Sequence, residues 1–282
     1  MPTKHLGMKI MKTLKNHTIL YDADCPMCKA YTNAFTATGM LDTNGRAPYQ
    51  QMPGFACPLI DHQRAVNEIA LINKTTGQVT YGIESLFKII ANAFPVFRLL
   101  FNCKPFITAM RKVYAFISYN RKVIIPAPTT DTHTLQPTFR LRYRLAYLLF
   151  TTIAVGYILT LYARTLTGLL PNDSPYREYA IAAGQLAFQG LIVTTYASKK
   201  TWDYLGNMMT ISLAGSLLLI PAILIHPSKN IAVGYFLTVA ALMLLEHIRR
   251  TKLLNLGWLP TITWIAYRTL ILIFLQLFYH LF

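Results

Sequence analysis

The chain has 282 residues, 54% of them hydrophobic, with a mean hydropathy of +0.36, a balance too apolar for an ordinary soluble protein. Charged residues make up only 13%, yet 27 Lys and Arg stand against 11 Asp and Glu, a net charge of +16. Residues 1–144 hold 18 basic and 7 acidic side chains (net +11) and residues 145–282 hold 9 and 4 (net +5), so a basic, mostly soluble module is expected to precede a membrane domain.

Met1–Lys15 is basic but has no apolar h-region, so no secretory signal is expected. A strand is predicted at His17–Asp22 and a helix at Pro26–Ala37, with Cys25-Pro26-Met27-Cys28 at the junction. A thiol at a helix N-terminus meets the positive end of the macrodipole and free backbone N–H groups, which favour thiolate. A short strand near Arg46–Gln50, a loop or short helix around Pro58–Ala65, and a hairpin of Glu68–Asn73 and Gln78–Tyr81 follow. A helix over Ile83–Ala93, capped by Ser85 or the preceding turn, stops before Pro95. This order, β-α-β then β-β-α, is the minimal thioredoxin arrangement. The fold class expected for the module is therefore α/β, thioredoxin-like.

Ser85–Ile125 is both apolar and basic. It reads as helices covering the sheet, with Lys104, Arg111, Lys112, Arg121 and Lys122 available to anionic lipid head groups. Pro126–Phe139 is a polar, proline-containing tether. Beyond it, about five transmembrane helices of roughly 20 residues are expected, near Leu145–Ala163, Tyr179–Ala197, Met208–Ile225, Ile231–His247 and Leu259–Phe282. The domains are thus 1–125, a linker at 126–139, and an all-α membrane domain at 140–282. Arg140, Arg142, Arg144, Lys199, Lys200, Arg249, Arg250 and Lys252 all fall on one side of this plan. The positive-inside rule then puts the N-terminal module in the cytoplasm and the C-terminus outside the cell (inner) membrane. The same pattern accounts for much of the positive charge, so no nucleic-acid partner is expected. Within the spans, Gln185 and Gln189 share a helix face and read as interhelical glue. Glu246 and Arg268 form a conceivable pair. A haem site built from His226, His247 and His280 is disfavoured, since only His226 and His280 share a side.

The run Tyr21-Asp22-Ala23-Asp24-Cys25-Pro26-Met27-Cys28 resembles the signature of the DCC family of thiol–disulfide oxidoreductases, named for D-x-x-C-x-x-C, with Asp22, Cys25 and Cys28 in the three named positions. Val113–Arg121 is similar to that family's closing Y-x-x-x-x-x-N-R helix. The resemblance covers roughly His17–Lys122 and leaves out the membrane half. Ala23 stands where the family usually has Gly, and no Pro directly precedes the third strand. The resemblance implies dithiol–disulfide exchange.

In that chemistry Cys25 is expected to be the exposed, attacking thiol and Cys28 the buried, resolving one. The cytoplasm is reducing, so this pair is a cycling couple rather than a staple. Asp22 reads either as the acceptor of the Cys28 proton or as a turn-shaping residue, and Asp24 as a helix cap. A carboxylate near a thiol also raises its pKa. Cys57 and His62 with the C-x-x-C compose a rival zinc set, while Cys57 and Cys103 also read as inert small apolar residues. The expectation is a membrane-anchored thiol–disulfide oxidoreductase with catalytic Cys25, Cys28 and Asp22 and no cofactor or metal. Its partners are the lipid bilayer, a protein or small-thiol redox partner and other membrane subunits. The alternative is a non-catalytic thioredoxin-like adaptor in a larger membrane complex.

Overall fold

The computed structural model describes residues 12–51, 60–128, 138–169 and 174–281. The chain divides into two compact units, Met1–Arg140 and Leu141–Phe282.

The first unit is built on a four-stranded mixed sheet in the order β2-β1-β3-β4. Strand β1 (His17–Tyr21) enters helix α1 (Pro26–Ala37), which returns the chain to β2 (Arg46–Pro48). A β-α-β connection of this kind forces parallel pairing, and Ile19 lies opposite Arg46 in a parallel ladder. Pro48 has no N–H to extend that ladder, and Tyr49–Gln51 winds into a single 3-10 turn where the sequence suggested strand. A short helix, α2 (His62–Asn67), leads into β3 (Ala70–Asn73), antiparallel to β1, and β4 (Val79–Tyr81), antiparallel to β3. Asn73 closes the hairpin turn by accepting from the Thr75 and Thr76 N–H groups. Helix α3 (Ile83–Ala93) follows. Its N-cap is Gly82, at φ 63°, not Ser85. Ser85 is buried one turn in, and its hydroxyl donates to the Thr80 carbonyl.

Helices α4 (Arg98–Phe101) and α5 (Lys104–Ile124) complete the unit. The alternating inward residues Ile19 and Leu71 pack with Leu41, Ile69 and Ile89 on one side of the sheet. Leu20 and Ala70 point to the other face, against Ile60 and Ala65, as the period-2 pleat requires. The α3–α5 connection is less covered than expected for packed helices: Val96 is 79% and Leu99 86% exposed.

The second unit is all helix: α6 (Leu141–Thr165), α7 (Arg177–Ala197), α8 (Thr201–Ile225), α9 (Lys229–Leu253) and α10 (Leu259–Leu281). Among the described residues, four helical segments are long and apolar enough to cross a membrane. One of these, Arg177–Ile225, is 49 residues long, about 73 Å if straight at 1.5 Å per residue and more than twice a bilayer core of about 30 Å. It is not straight. The Tyr204 hydroxyl donates to Gln189, 15 residues earlier, at 2.9 Å, which requires the chain to reverse at Ala197, whose backbone leaves the helical region (φ −144°, ψ 49°). The ten-residue break expected between these helices is therefore only the 3-10 turn Ser198–Lys200, and Thr201–Asn207 is already helix.

Helix α8 is the most enclosed, and two apolar clusters form around it. Leu148, Val193, Met208 and Trp264 meet in one; Tyr162, Leu219, Ala232 and Val239 meet in the other. Small residues allow the close approach of helices that packing in lipid requires. A Cβ at Gly156 on α6 would stand 2.5 Å from the Tyr179 ring on α7.

Candidate functional site

Cys25 is the N-cap of α1, in extended backbone, and Pro26 takes the first helical position, where a missing N–H costs nothing. The Cys25 sulfur accepts from the Cys28 backbone N–H at 3.3 Å, filling the role an N-cap oxygen usually has. The Cys28 thiol also donates to it, and this bond is the largest influence on Cys25. Together with the backbone bond and the Arg121 charge, it outweighs burial and the repulsion from Asp22, and lowers the Cys25 pKa to about 7. The same bond, with burial, pushes Cys28 above the ordinary thiol range. The Tyr31 hydroxyl, one turn further on, donates to Cys28.

One expectation about this pair is corrected. Cys25 is not the exposed thiol: it is 6% and Cys28 7% accessible. A sulfur that caps its own helix by folding onto the Cys28 N–H turns inward, and this withdraws it from solvent. Both cysteines are free thiols, and among the described residues the exposed cysteine is Cys103, at the N-cap of α5.

Asp22 closes β1 and is 5% accessible. Its carboxylate shapes the turn by accepting from the Asp24 N–H at 3.0 Å, and it also accepts from the Gln50 amide at 2.8 Å. The Cys25 N–H donates to the Asp22 carbonyl. The cap expected of Asp24 is supplied instead by the Cys25 sulfur.

The principal partner of Asp22 comes from the far end of the unit. Arg121 on α5 donates to the Asp22 carboxylate at 2.8 Å, both side chains being buried. The same guanidinium donates to the Val66 carbonyl at 2.9 Å and reaches Ser118 and the Asn67 carbonyl. Arg121 thus ties β1 to the end of α2, with both terminal nitrogens of its buried guanidinium hydrogen-bonded. Asp22, Cys28, Tyr31, Ser118 and Arg121 all line one cavity of about 40 Å³, a volume with room for water.

Arg121 was visible in sequence through the Y-x-x-x-x-x-N-R run and as a cation for a carboxylate or an anionic lipid head group; it is buried on Asp22, so it is not available to lipid. Gln50, Ser118 and Tyr31 carried no signal, because their roles arise from the tertiary meeting of β1, α1 and α5. Helix α2 reaches β3 through Glu68 and Ile69, without a proline. Cys57, Pro58 and the His62 side chain lie outside the described residues. Among the described residues no group of three or more His, Cys, Asp or Glu is placed to hold a metal ion.

In the second unit the conceivable Glu246–Arg268 pair does not form. Glu246 binds Arg249 and Arg250 one turn away on α9, the shortest route to a cation, and Arg268 instead donates to Gln185. Gln189 joins Tyr204 and Thr263 across helices. His247 is enclosed by Tyr204, Thr261 and Trp264. No protein-family model, curated protein or solved structure matches the chain.

Proposed function

We propose that this protein is a membrane-anchored thiol–disulfide oxidoreductase, similar to the DCC family, whose thioredoxin-like unit exchanges electrons through Cys25 and Cys28. The observation that carries the reading is the Cys25 sulfur at the start of α1, held by the Cys28 thiol and N–H with its pKa lowered to about 7. Close to half of such a thiol is nucleophilic thiolate at neutral pH. The strand order β2-β1-β3-β4, with one parallel and two antiparallel pairings, supports the thioredoxin-like fold.

The Cys25 thiolate attacks a substrate disulfide, forming a mixed disulfide and expelling one substrate thiolate. Cys28 then loses its proton and attacks the Cys25 sulfur. The second substrate thiolate leaves, and a Cys25–Cys28 disulfide remains. Two electrons pass to the substrate, and an external dithiol or small thiol restores the reduced pair. Asp22, on the wall of the cavity shared with Cys28, is the acceptor for the Cys28 proton. With Cys25 6% accessible, the attack requires part of the surrounding surface to move aside.

The apolar helices of the second unit anchor the protein in the cell membrane. The basic ends before α6, after α7 and after α9 support a cytoplasmic position for the thiol unit. The burial of Cys25 also favours a second reading, a non-catalytic adaptor in a membrane complex. One experiment separates the two: trapping with Cys28→Ser, where the mixed disulfide cannot resolve. An enzyme accumulates a covalent partner on Cys25, and redox titration of the wild-type pair is reversible. A pair that stays reduced and captures nothing identifies the adaptor.

A further inference from the structure

The helices α6 to α10 line a cavity of about 380 Å³, within the roughly 300–1,000 Å³ of small-molecule sites. Its wall is mainly apolar, with Tyr162, Met209, Phe236 and Ile271 among the lining residues, but Arg268 and Gln185 both face it. Arg268 is nine residues into α10 and Gln185 eight into α7, about 12–14 Å from each helix start at 1.5 Å per residue. That is near the middle of a bilayer core.

A cation at this depth is costly unless it is paired. Residues 141–282 contain four acids, Asp173, Glu178, Asp203 and Glu246. Glu178 pairs with Arg177, Asp203 with Arg144, and Glu246 with Arg249 and Arg250; Asp173 lies outside the described residues. Among the described residues Arg268 has an amide acceptor, Gln185 at 3.3 Å, and an aromatic face, Trp264 at 4.0 Å, but no carboxylate. Its Nε is buried without a hydrogen-bond partner, and so is Nε2 of Gln185. Arg268 and Gln185 therefore bring one positive charge and two unused donors to a mainly apolar chamber, whose single lining carboxylate, Glu178, is already paired with Arg177.

We infer that this cavity binds a single-chain amphiphile with a carboxylate head, the carboxylate accepting from Arg268 and Gln185 and the hydrocarbon chain filling the apolar remainder. A planar carboxylate matches the guanidinium edge and neutralises it, which a neutral carbonyl headgroup does not. Leu237 on α9 and Leu272 on α10 line the cavity and are themselves exposed, so a chain enters between these helices. The site belongs to the membrane unit and does not depend on the cysteine chemistry.

The test is binding of labelled oleate to the full-length protein in phosphatidylcholine nanodiscs, corrected by empty discs, with oleyl alcohol as the neutral counterpart. Saturable binding of one oleate per chain is expected, at least tenfold tighter than the alcohol. Arg268→Gln should abolish that preference and Gln185→Leu should weaken oleate a few-fold, while Cys25→Ser should leave it unchanged. Equal binding of oleate and oleyl alcohol to the wild-type protein overturns the inference even if the arginine variant fails to fold. Preference for a neutral long-chain quinone over oleate overturns it too.

Discussion

Removing Arg121 strands the Asp22 carboxylate in a buried wall, while removing both charges leaves only a gap to fill. Arg121→Ala is therefore expected to destabilise the first unit by ~3–5 kcal/mol, and Asp22→Ala by a similar amount, with the double variant well short of the sum. Hydrogen-exchange protection of β1 and α5 in the intact chain measures each cost. The thiols provide a second expectation at this scale. With its pKa lowered to about 7, Cys25 should react with iodoacetamide along a pH profile centred near 7. Arg121 lowers that pKa by its charge, so Arg121→Gln should move the midpoint upward and leave less than half of Cys25 ionised at pH 7. The midpoint, read at Cys25 alone, is the diagnostic quantity, because exposed Cys103 also reacts. The pair of cysteines was legible in the sequence because its spacing is local. Its burial and the Asp22–Arg121 bond were not, since one depends on how the sulfur folds back and the other joins residues 99 apart.

At the level of elements, strands and helices were legible wherever apolar period and turn residues agreed. The hairpin at Lys74–Gly77 and the stop before Pro95 are such places. Edges failed where local rules compete: Pro48 cuts β2 short, and the polar run Ser198–Asn207 reads as a loop although most of it is the first turns of α8. That run is helical because Tyr204, Asn207 and Thr201 find partners on neighbouring helices, a tertiary reward that composition does not display. Packing makes an element-scale prediction with opposite signs at two glycines. Gly156→Ala drives a Cβ into the Tyr179 ring, whereas a Cβ at Gly234 meets nothing within 4 Å. Overpacking costs ~1–3 kcal/mol, and relief of a helical glycine gains up to ~1 kcal/mol. Thermal unfolding in detergent should fall for Gly156→Ala and hold or rise for Gly234→Ala.

For the whole molecule, the orientation predicted from basic residues is testable with the thiols in place. An impermeant maleimide applied to intact cells should leave Cys103 unlabelled and reach a cysteine introduced at Ser228, the N-cap of α9. Labelling of native Cys103 from outside inverts the arrangement. Cys103 serves here because it is exposed, whereas buried Cys25 resists a bulky reagent on either side. The Asp22–Arg121 bond also sets a timetable for biosynthesis. Cys28 and Arg121 lie 93 residues apart, so at roughly 5–20 residues per second the ribosome makes the cysteines about 5–20 s before their arginine. In that interval the nascent thiols are unshielded and lack the charge that tunes them, and any oxidant or metal meets them as ordinary cysteines. Once α5 is made, closing that long loop costs only slightly more than closing a short one, because the entropy grows with the logarithm of length. Since α6 begins only at Leu141, the thiol site can be armed while the first apolar helix is still being synthesised.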